Sequence, residues 1–429
     1  MTKAAGRPSN ASLLLAVLLL AYIFNYLDRQ ILGILAGSII ADLHFSDRQF
    51  GALSGPPFAI LYSVLGIPFA YLADRTSRSR VIAAAVAFWS VFTGLCGTAV
   101  SFWQFFFFRM GVGIGEAGGV APSYALIADY FEPRRRARAL AIFSLGVPIG
   151  LALGTLLGAY IAHAISWRAA FFTMGVAGVV LAPVMLLIVR DRPRGHVVGA
   201  APIGQVFPML ARKPVFWLMA FAASSSSLCG YGLATWIPSV LERSYHLSLI
   251  QRGQFMASVV FIGGCAGVFA GGWLADRLGA LDKGWYAKLP AIAWLITAPT
   301  FAAGLMVPSL WLAWPLLLIP NALNILWLGP VITAVQHLVP QRMRSTASAS
   351  FLLINNLIGL GVGPYLIGSI STSLKHSFGA EALRYAAVGC TIFYVIAALL
   401  MFLCVSRLRT SWVEDAADGI PNYLNDKEI

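Results

Sequence analysis

Twelve times the chain runs for about 20 residues or more with almost no charge, the length a helix needs to cross ~30 Å of hydrocarbon. The blocks lie near 12–37, 48–73, 80–100, 103–130, 137–163, 168–189, 214–241, 252–275, 287–306, 310–335, 346–372 and 384–406. Their apolar residues are continuous rather than alternating, which excludes a β-barrel and predicts an all-α, multi-pass membrane protein. Charge supports this: 11% of residues are charged, against about 25% in soluble domains. The first block does not read as a cleaved signal peptide. Its apolar core is too long and no small-residue cleavage site follows it.

Lysine and arginine in the loops orient the path. With both termini cytoplasmic, the inner side holds 22 of the 30 Lys and Arg, among them Arg134, Arg135, Arg136 and Arg138. The outer loops hold Arg48, Arg168, Arg243, Arg252, Lys375 and Arg384, and only Arg29 and Arg109 lie within spans. The net charge of +13 is therefore mainly a topology signal. It suits anionic lipid at the inner face and gives no sign of nucleic-acid binding. All five cysteines (Cys96, Cys229, Cys265, Cys390, Cys404) fall inside spans without metal-ligand spacing, so they read as small packing residues and predict no metal.

Residues 70–80 read AYLADRTSRSR and residues 272–280 read GWLADRLGA. LADR thus recurs at an offset of 202 residues, at the same place in each set of six spans. Span 4 carries RMGVGIGEAGG (109–119) and span 5 carries GVPIGLALG (146–154). With the repeated loop motif, these resemble the major facilitator superfamily, except that Ala70 stands where its signature has a glycine. NYLDRQ in span 1 and GIGEAGGVAPSYALIADYF in span 4 are most similar to the Spinster branch, which includes proton-linked lysophospholipid transporters and the sphingosine-1-phosphate exporter. The resemblance implies a major facilitator fold of two pseudo-symmetric six-helix bundles that rock around a midplane site. The halves are expected at 1–189 and 214–408, with a linker at 190–213 and a tail at 409–429. A monomeric protein of the bacterial inner membrane, without a cofactor, is expected.

Charge inside a span is costly, ~2.5–3.5 kcal/mol at the bilayer centre on insertion scales. Asp28 and Arg29 in span 1 and Arg109 and Glu116 in span 4 fall at similar depths, and Arg109 and Glu116 share one face two turns apart. They read as a central cluster. Asp28 and Glu116 are the proton-titratable groups, and Arg29 and Arg109 are partners or anion ligands. Glu116, two turns from Arg109, is the candidate coupling acid if Arg109 swings away, and Asp28 is an exchangeable partner that competes for the arginines. Spans 7–12 carry no core charge, and their polar content includes Ser224–Ser227, Tyr231, Asn321, Asn324, Asn355 and Asn356. Tyr231, Trp236, Asn324, Asn355 and Asn356 are candidate contacts for an amphipathic substrate, the amides being equally readable as interhelical glue. Asp74, Arg75, Asp276 and Arg277 sit on the cytoplasmic rim. By resemblance they are gating residues, with Asp74 near span 11 and a basic partner such as Arg138. The glycines of spans 4 and 5 lie inside the membrane with no preceding strand, so they are close-packing residues rather than a nucleotide loop. No catalytic constellation is present. The chain reads as a proton-coupled transporter of a lysophospholipid- or sphingoid-phosphate-like substrate. A proton-coupled symporter of small organic anions and a multidrug exporter are the alternatives.

Overall fold

The computed structural model describes residues 11–191, 203–340 and 343–413, and the helices among them join into twelve spans. Span 1 is Ala11–Ile34 continued by Ala36–Leu43, span 2 is Asp47–Ser54 and Pro56–Arg75, and span 3 is Arg78–Cys96. Span 4 is Phe102–Glu116 and Val120–Tyr130, span 5 is Pro133–Ser144 and Gly146–Ala164, and span 6 is Trp167–Ile188. Spans 7, 8 and 9 are Pro214–Arg243, Leu249–Gly279 and Trp285–Met306. Span 10 is Leu310–Ile325 and Leu328–Gln336, span 11 is Arg344–Phe378, and span 12 is Ala382–Cys390 and Ile392–Ser411. A short helix, Ile203–Ala211, precedes span 7. Most of the expected linker (192–202) and tail (414–429) lies outside the described residues. Both ends of the path reach one face, the termini face; the opposite one is the far face.

Among the described residues, nine stretches are apolar and long enough to cross a membrane by length and composition, the last covering spans 11 and 12 together. Spans 4 and 7 are less apolar: the first carries Arg109 and Glu116, the second the serine run 224–227. Four broken spans share one cause. Their second segments carry proline within the first three residues: Pro56 and Pro57, Pro122, Pro148 and Pro330. A proline there has no N–H to extend the preceding ladder but suits a new first turn.

The repeat extends beyond LADR. Span 2 opens with a capping box of Ser46 and Gln49, and span 8 opens with the same device from Ser248 and Gln251, at the same 202-residue offset. Each serine hydroxyl takes an orphan backbone N–H of the first turn while the glutamine returns to the cap N–H. Five residues after each cap serine stands a glycine pressed on the other half. A Cβ at Gly51 would lie 2.5 Å from the Pro364 carbonyl of span 11, and one at Gly253 would lie 2.6 Å from Ala159 of span 5. The halves therefore meet along two equivalent seams, span 2 on span 11 and span 8 on span 5, with span 1 also touching span 7.

Within the first half, span 1 lies on span 5. Gly150 and Gly154 let the backbones touch, for a Cβ would come 2.5 Å from the Ile23 carbonyl and 2.6 Å from the Leu27 carbonyl. The Gly-Pro motif is thus the bed that fixes the helix bearing Asp28 and Arg29. Gly154→Ala should destabilise the protein by about 1–3 kcal/mol through overpacking. Gly66→Ala, where a Cβ meets nothing within 4 Å, should be neutral or better. Thermal unfolding in detergent checks this; equal midpoints for the two variants would contradict it.

Candidate functional site

Arg29 and Glu116 are brought together at the centre of the first half. The Arg29 Nε donates to Glu116 Oε2 at 2.7 Å, with the carboxylate fully buried and the arginine side chain 11% exposed. Span 4 can deliver Glu116 because Gly113 abuts the Phe58 backbone of span 2 and Gly115 abuts Trp89 of span 3. The Arg29 guanidinium lies 5.0, 4.9 and 4.5 Å from the ring centres of Tyr26, Phe58 and Tyr62. Three π-faces replace part of the hydration a cation loses on burial.

The other two charges lie near this pair but form no salt bridge with it. Asp28 is buried and its Oδ2 accepts a hydrogen bond from the Thr93 hydroxyl of span 3 at 3.1 Å. Its Oδ1 has no hydrogen-bond partner, nor do Glu116 Oε1, Arg29 Nη2 and Arg109 Nε. Arg109 is 3% exposed and rests 5.1 Å from the Phe58 ring. Glu116 therefore takes Arg29 as its direct partner, not the Arg109 that shares its helix face. Each buried orphan costs ~1–3 kcal/mol, so the cluster is held in a state poised to accept donors, acceptors or protons. Sequence reasoning missed Tyr26, Phe58 and Tyr62. Their signal was available: the i, i+4 pair Phe58 and Tyr62 in span 2.

In the second half, three of the candidate substrate contacts are engaged by other helices. Trp236 is fully buried, donates its indole N–H to the Pro364 carbonyl at 2.8 Å and packs edge-on against Phe50. It lies on the seam between halves. Asn324 accepts a hydrogen bond from Tyr394 at 2.9 Å and Asn355 accepts one from Ser227 at 2.9 Å. These amides bind helices to one another. Tyr231 differs: it is half-buried and lies in electrostatic range of Arg29, Tyr26 and Tyr62 across the seam. Asn356 is half-buried on span 11.

On the far face the halves are joined by a cross-half ion pair that the loop sequence concealed. Asp47, the first helical residue of span 2, receives both Arg243 Nη atoms of span 7 at 2.7 Å, one on each oxygen. The Ser371 hydroxyl of span 11 donates to the same carboxylate at 2.7 Å. Beside it, Arg48 donates to Tyr365 at 3.2 Å and its backbone N–H to Thr372 at 3.0 Å. A bidentate guanidinium with a third donor is the strong geometry for a carboxylate.

The profile of the Major Facilitator Superfamily matches residues 18–364. The chain belongs to the major facilitator superfamily. An MFS-type efflux pump of Mycolicibacterium smegmatis is 34% identical over 413 residues, which are 95% of this chain and 96% of that protein. Protein spinster of Drosophila melanogaster is 30% identical over 377 residues, 84% of this chain and 62% of its own length. A crystal structure of a bacterial homolog of the human lysosomal transporter Spinster, inward-facing and unoccupied, superposes with a TM-score of 0.86 at 29% identity over 96% of this chain and 100% of that one. This superfamily transporter thus resembles Spinster proteins in sequence and in fold.

The superfamily's loop motif sits on the termini face. Asp74 accepts from Arg78 at 2.7 Å, and Arg78 also pairs with Asp129 of span 4. Arg75 lies over Tyr71 and Arg277 over Trp273. Asp276, Arg277 and Arg138 are exposed. The repeat is thus matched in place but not in chemistry, because Ala280 stands where the first half has Arg78.

Two outcomes follow. Glu116→Ala should cost ~3–5 kcal/mol by stranding buried Arg29, and adding Arg29→Met to it should recover most of the loss in thermal unfolding. No recovery would mean the two residues do not act as a pair. Asp47→Asn should shift the far-closed to far-open balance by roughly tenfold, a buried-pair cost discounted for partial exposure. Spin-label distances between exposed positions 41 and 377 report it; an unchanged distribution would remove the ion pair's role.

Proposed function

We propose that this superfamily transporter is a proton-coupled secondary carrier of an amphipathic, lipid-like anion, working by alternating access. The observation that carries the reading is the buried Arg29–Glu116 pair beside Arg109, with orphan guanidinium N–H groups and aromatic rings from span 2 around it. An anionic headgroup of the lysophospholipid or sphingoid-phosphate class would satisfy the free N–H donors of Arg29 and Arg109. Its tail would run along the seam near Tyr231, with half-buried Asn356 as a secondary contact. Asp28 and Glu116 are the proton-exchanging acids. One is bonded to a hydroxyl and the other to a guanidinium, so a substrate anion that draws Arg29 away frees Glu116 to take a proton. The termini face is assigned to the cytoplasm of a bacterial inner membrane, the chain acts as a monomer, and the Asp47–Arg243–Ser371 lock is the outer gate. Asp74, Arg75, Arg138, Asp276 and Arg277 serve the inner gate in the opposite state. The bundles 1–189 and 214–408 are the rocking units.

Multidrug export is the second reading, and the name of the Mycolicibacterium smegmatis relative, an MFS-type efflux pump, is in keeping with outward transport. Ligand-dependent stability separates the two. A bound ligand at 100 times its Kd adds about 2.7 kcal/mol, so lysolipids or sphingoid phosphates should raise the unfolding midpoint by several degrees. The same lipids should move into proteoliposomes faster under an imposed pH gradient. Stabilisation by small carboxylates or cationic dyes, with no response to lipid anions, would overturn the substrate class.

A further inference from the structure

The termini side of the ion pair holds polar groups that the substrate reading does not use. Asn25 is 1% exposed, and neither its Oδ1 nor its Nδ2 has a hydrogen-bond partner. The Trp89 indole N–H is equally buried and unpartnered. Both line one small cavity of about 10 Å³, together with Ser123, Gly119, Tyr22 and Phe143. That volume is about what one water centre requires, and a buried water needs two to four polar partners. Asn25 Oδ1 and Nδ2, the Trp89 N–H and the Ser123 hydroxyl oxygen supply them; Ser123 spends its own proton on the Gly119 carbonyl at 2.7 Å.

Two of the lining residues, Asn25 and Trp89, connect this cavity to the acids. Facing Glu116 are Arg29 and Asn25 of span 1 and Arg109 of its own span. Facing Asp28 are Thr93 and Trp89 of span 3, and Arg109 and Glu116 of span 4. Asn25 lies close enough to Glu116, and Trp89 to Asp28, for a polar interaction that stays short of full hydrogen-bond geometry, and a water in the cavity would complete it. Toward the termini face the cavity is capped by Tyr22 stacked on Phe143, ring centres 4.3 Å apart, with Tyr124 edge-on to Phe143.

We propose that Asn25, the Trp89 indole and Ser123 hold a structural water that forms the inner leg of a proton path, from the termini face to Asp28 and Glu116. The path runs inside the first half, separate from the substrate seam, and the Tyr22–Phe143 stack is its plug. In each transfer a hydronium arriving from the termini-face solvent, when the Tyr22–Phe143 stack parts, gives its proton to this water. The water passes one of its own O–H protons to a carboxylate oxygen; Ser123, whose proton stays on the Gly119 carbonyl, only accepts. The water is regenerated and the carboxylate becomes a neutral acid. This inference rests on the proton-coupled reading for its role, but the water site itself does not.

Two measurements test it. A density map at a resolution that shows ordered water should place one within hydrogen-bonding distance of Asn25 and the Trp89 Nε1. Direct Asn25–Glu116 and Trp89–Asp28 bonds with no water between would overturn the site. In proteoliposomes, Asn25→Leu should lower the ratio of gradient-driven flux to counterflow by about tenfold, as expected for removing a water's hydrogen bonds. Asn25→Ser, which keeps a hydroxyl and leaves room for water, should recover most of that ratio. An unchanged ratio in Asn25→Leu would overturn the path. Wild-type protein without any gradient response would instead reject the coupling reading and leave the water site to the map.

Discussion

A charge buried in hydrocarbon is tolerated only if something replaces its water, and the arrangement of the first half follows from meeting that demand for Arg29 and Glu116. The pair itself supplies the Coulomb attraction. Tyr26, Phe58 and Tyr62 supply π-faces for the cation. Both supports require spans 1, 2, 3 and 4 to approach at backbone distance, and the glycines of spans 4 and 5 make that approach possible. A packing role alone could be filled by apolar residues at equal or lower cost. Retaining four buried charges, several with unsatisfied atoms, fits a cluster that changes partners during a cycle.

The second half meets the first with a different chemistry. Its interior is joined by neutral hydrogen bonds, Ser227 to Asn355 and Tyr394 to Asn324, which fix helices without needing counter-charges. Pseudo-symmetry survives where backbone geometry matters, in the two capping boxes and the two seam glycines. It is lost where charge matters. Asp47 at the start of span 2 carries the cross-half lock, while Leu249 stands at the corresponding place in span 8. The duplicated scaffold thus has one half with a charged interior and one joined by neutral hydrogen bonds.

Much of the architecture was legible because membrane spans, their loops and a 202-residue repeat are local patterns. The four central charges were legible too, since a charge inside an apolar block has few places to go. Their pairing was not. Asp28 and Arg29 are sequence neighbours, yet adjacent residues on a helix point about 100° apart, so one meets Thr93 of span 3 and the other Glu116 of span 4. Trp236 reads from sequence as a free aromatic, whereas its burial depends on Phe50 and Pro364 arriving from two other spans. Asp47 falls one residue before the expected start of span 2, and no short pattern singles it out because its partner is 196 positions away. Such contacts are set by which helices meet, information that no short window holds.

The account's central claim is that Glu116 exchanges Arg29 for a proton during transport. The most direct measurement is lipid-anion flux into proteoliposomes with and without an imposed pH gradient, for wild type, Glu116→Gln and Asp28→Asn. Glutamine keeps the shape and a hydrogen bond to Arg29 but has no proton to exchange, so Glu116→Gln should still perform counterflow while losing its response to the gradient. Asp28→Asn, which can keep the Thr93 hydrogen bond, should retain part of that response. If Glu116→Gln responds to the gradient as wild type does, Glu116 is not the coupling acid and the pair is a structural fastening.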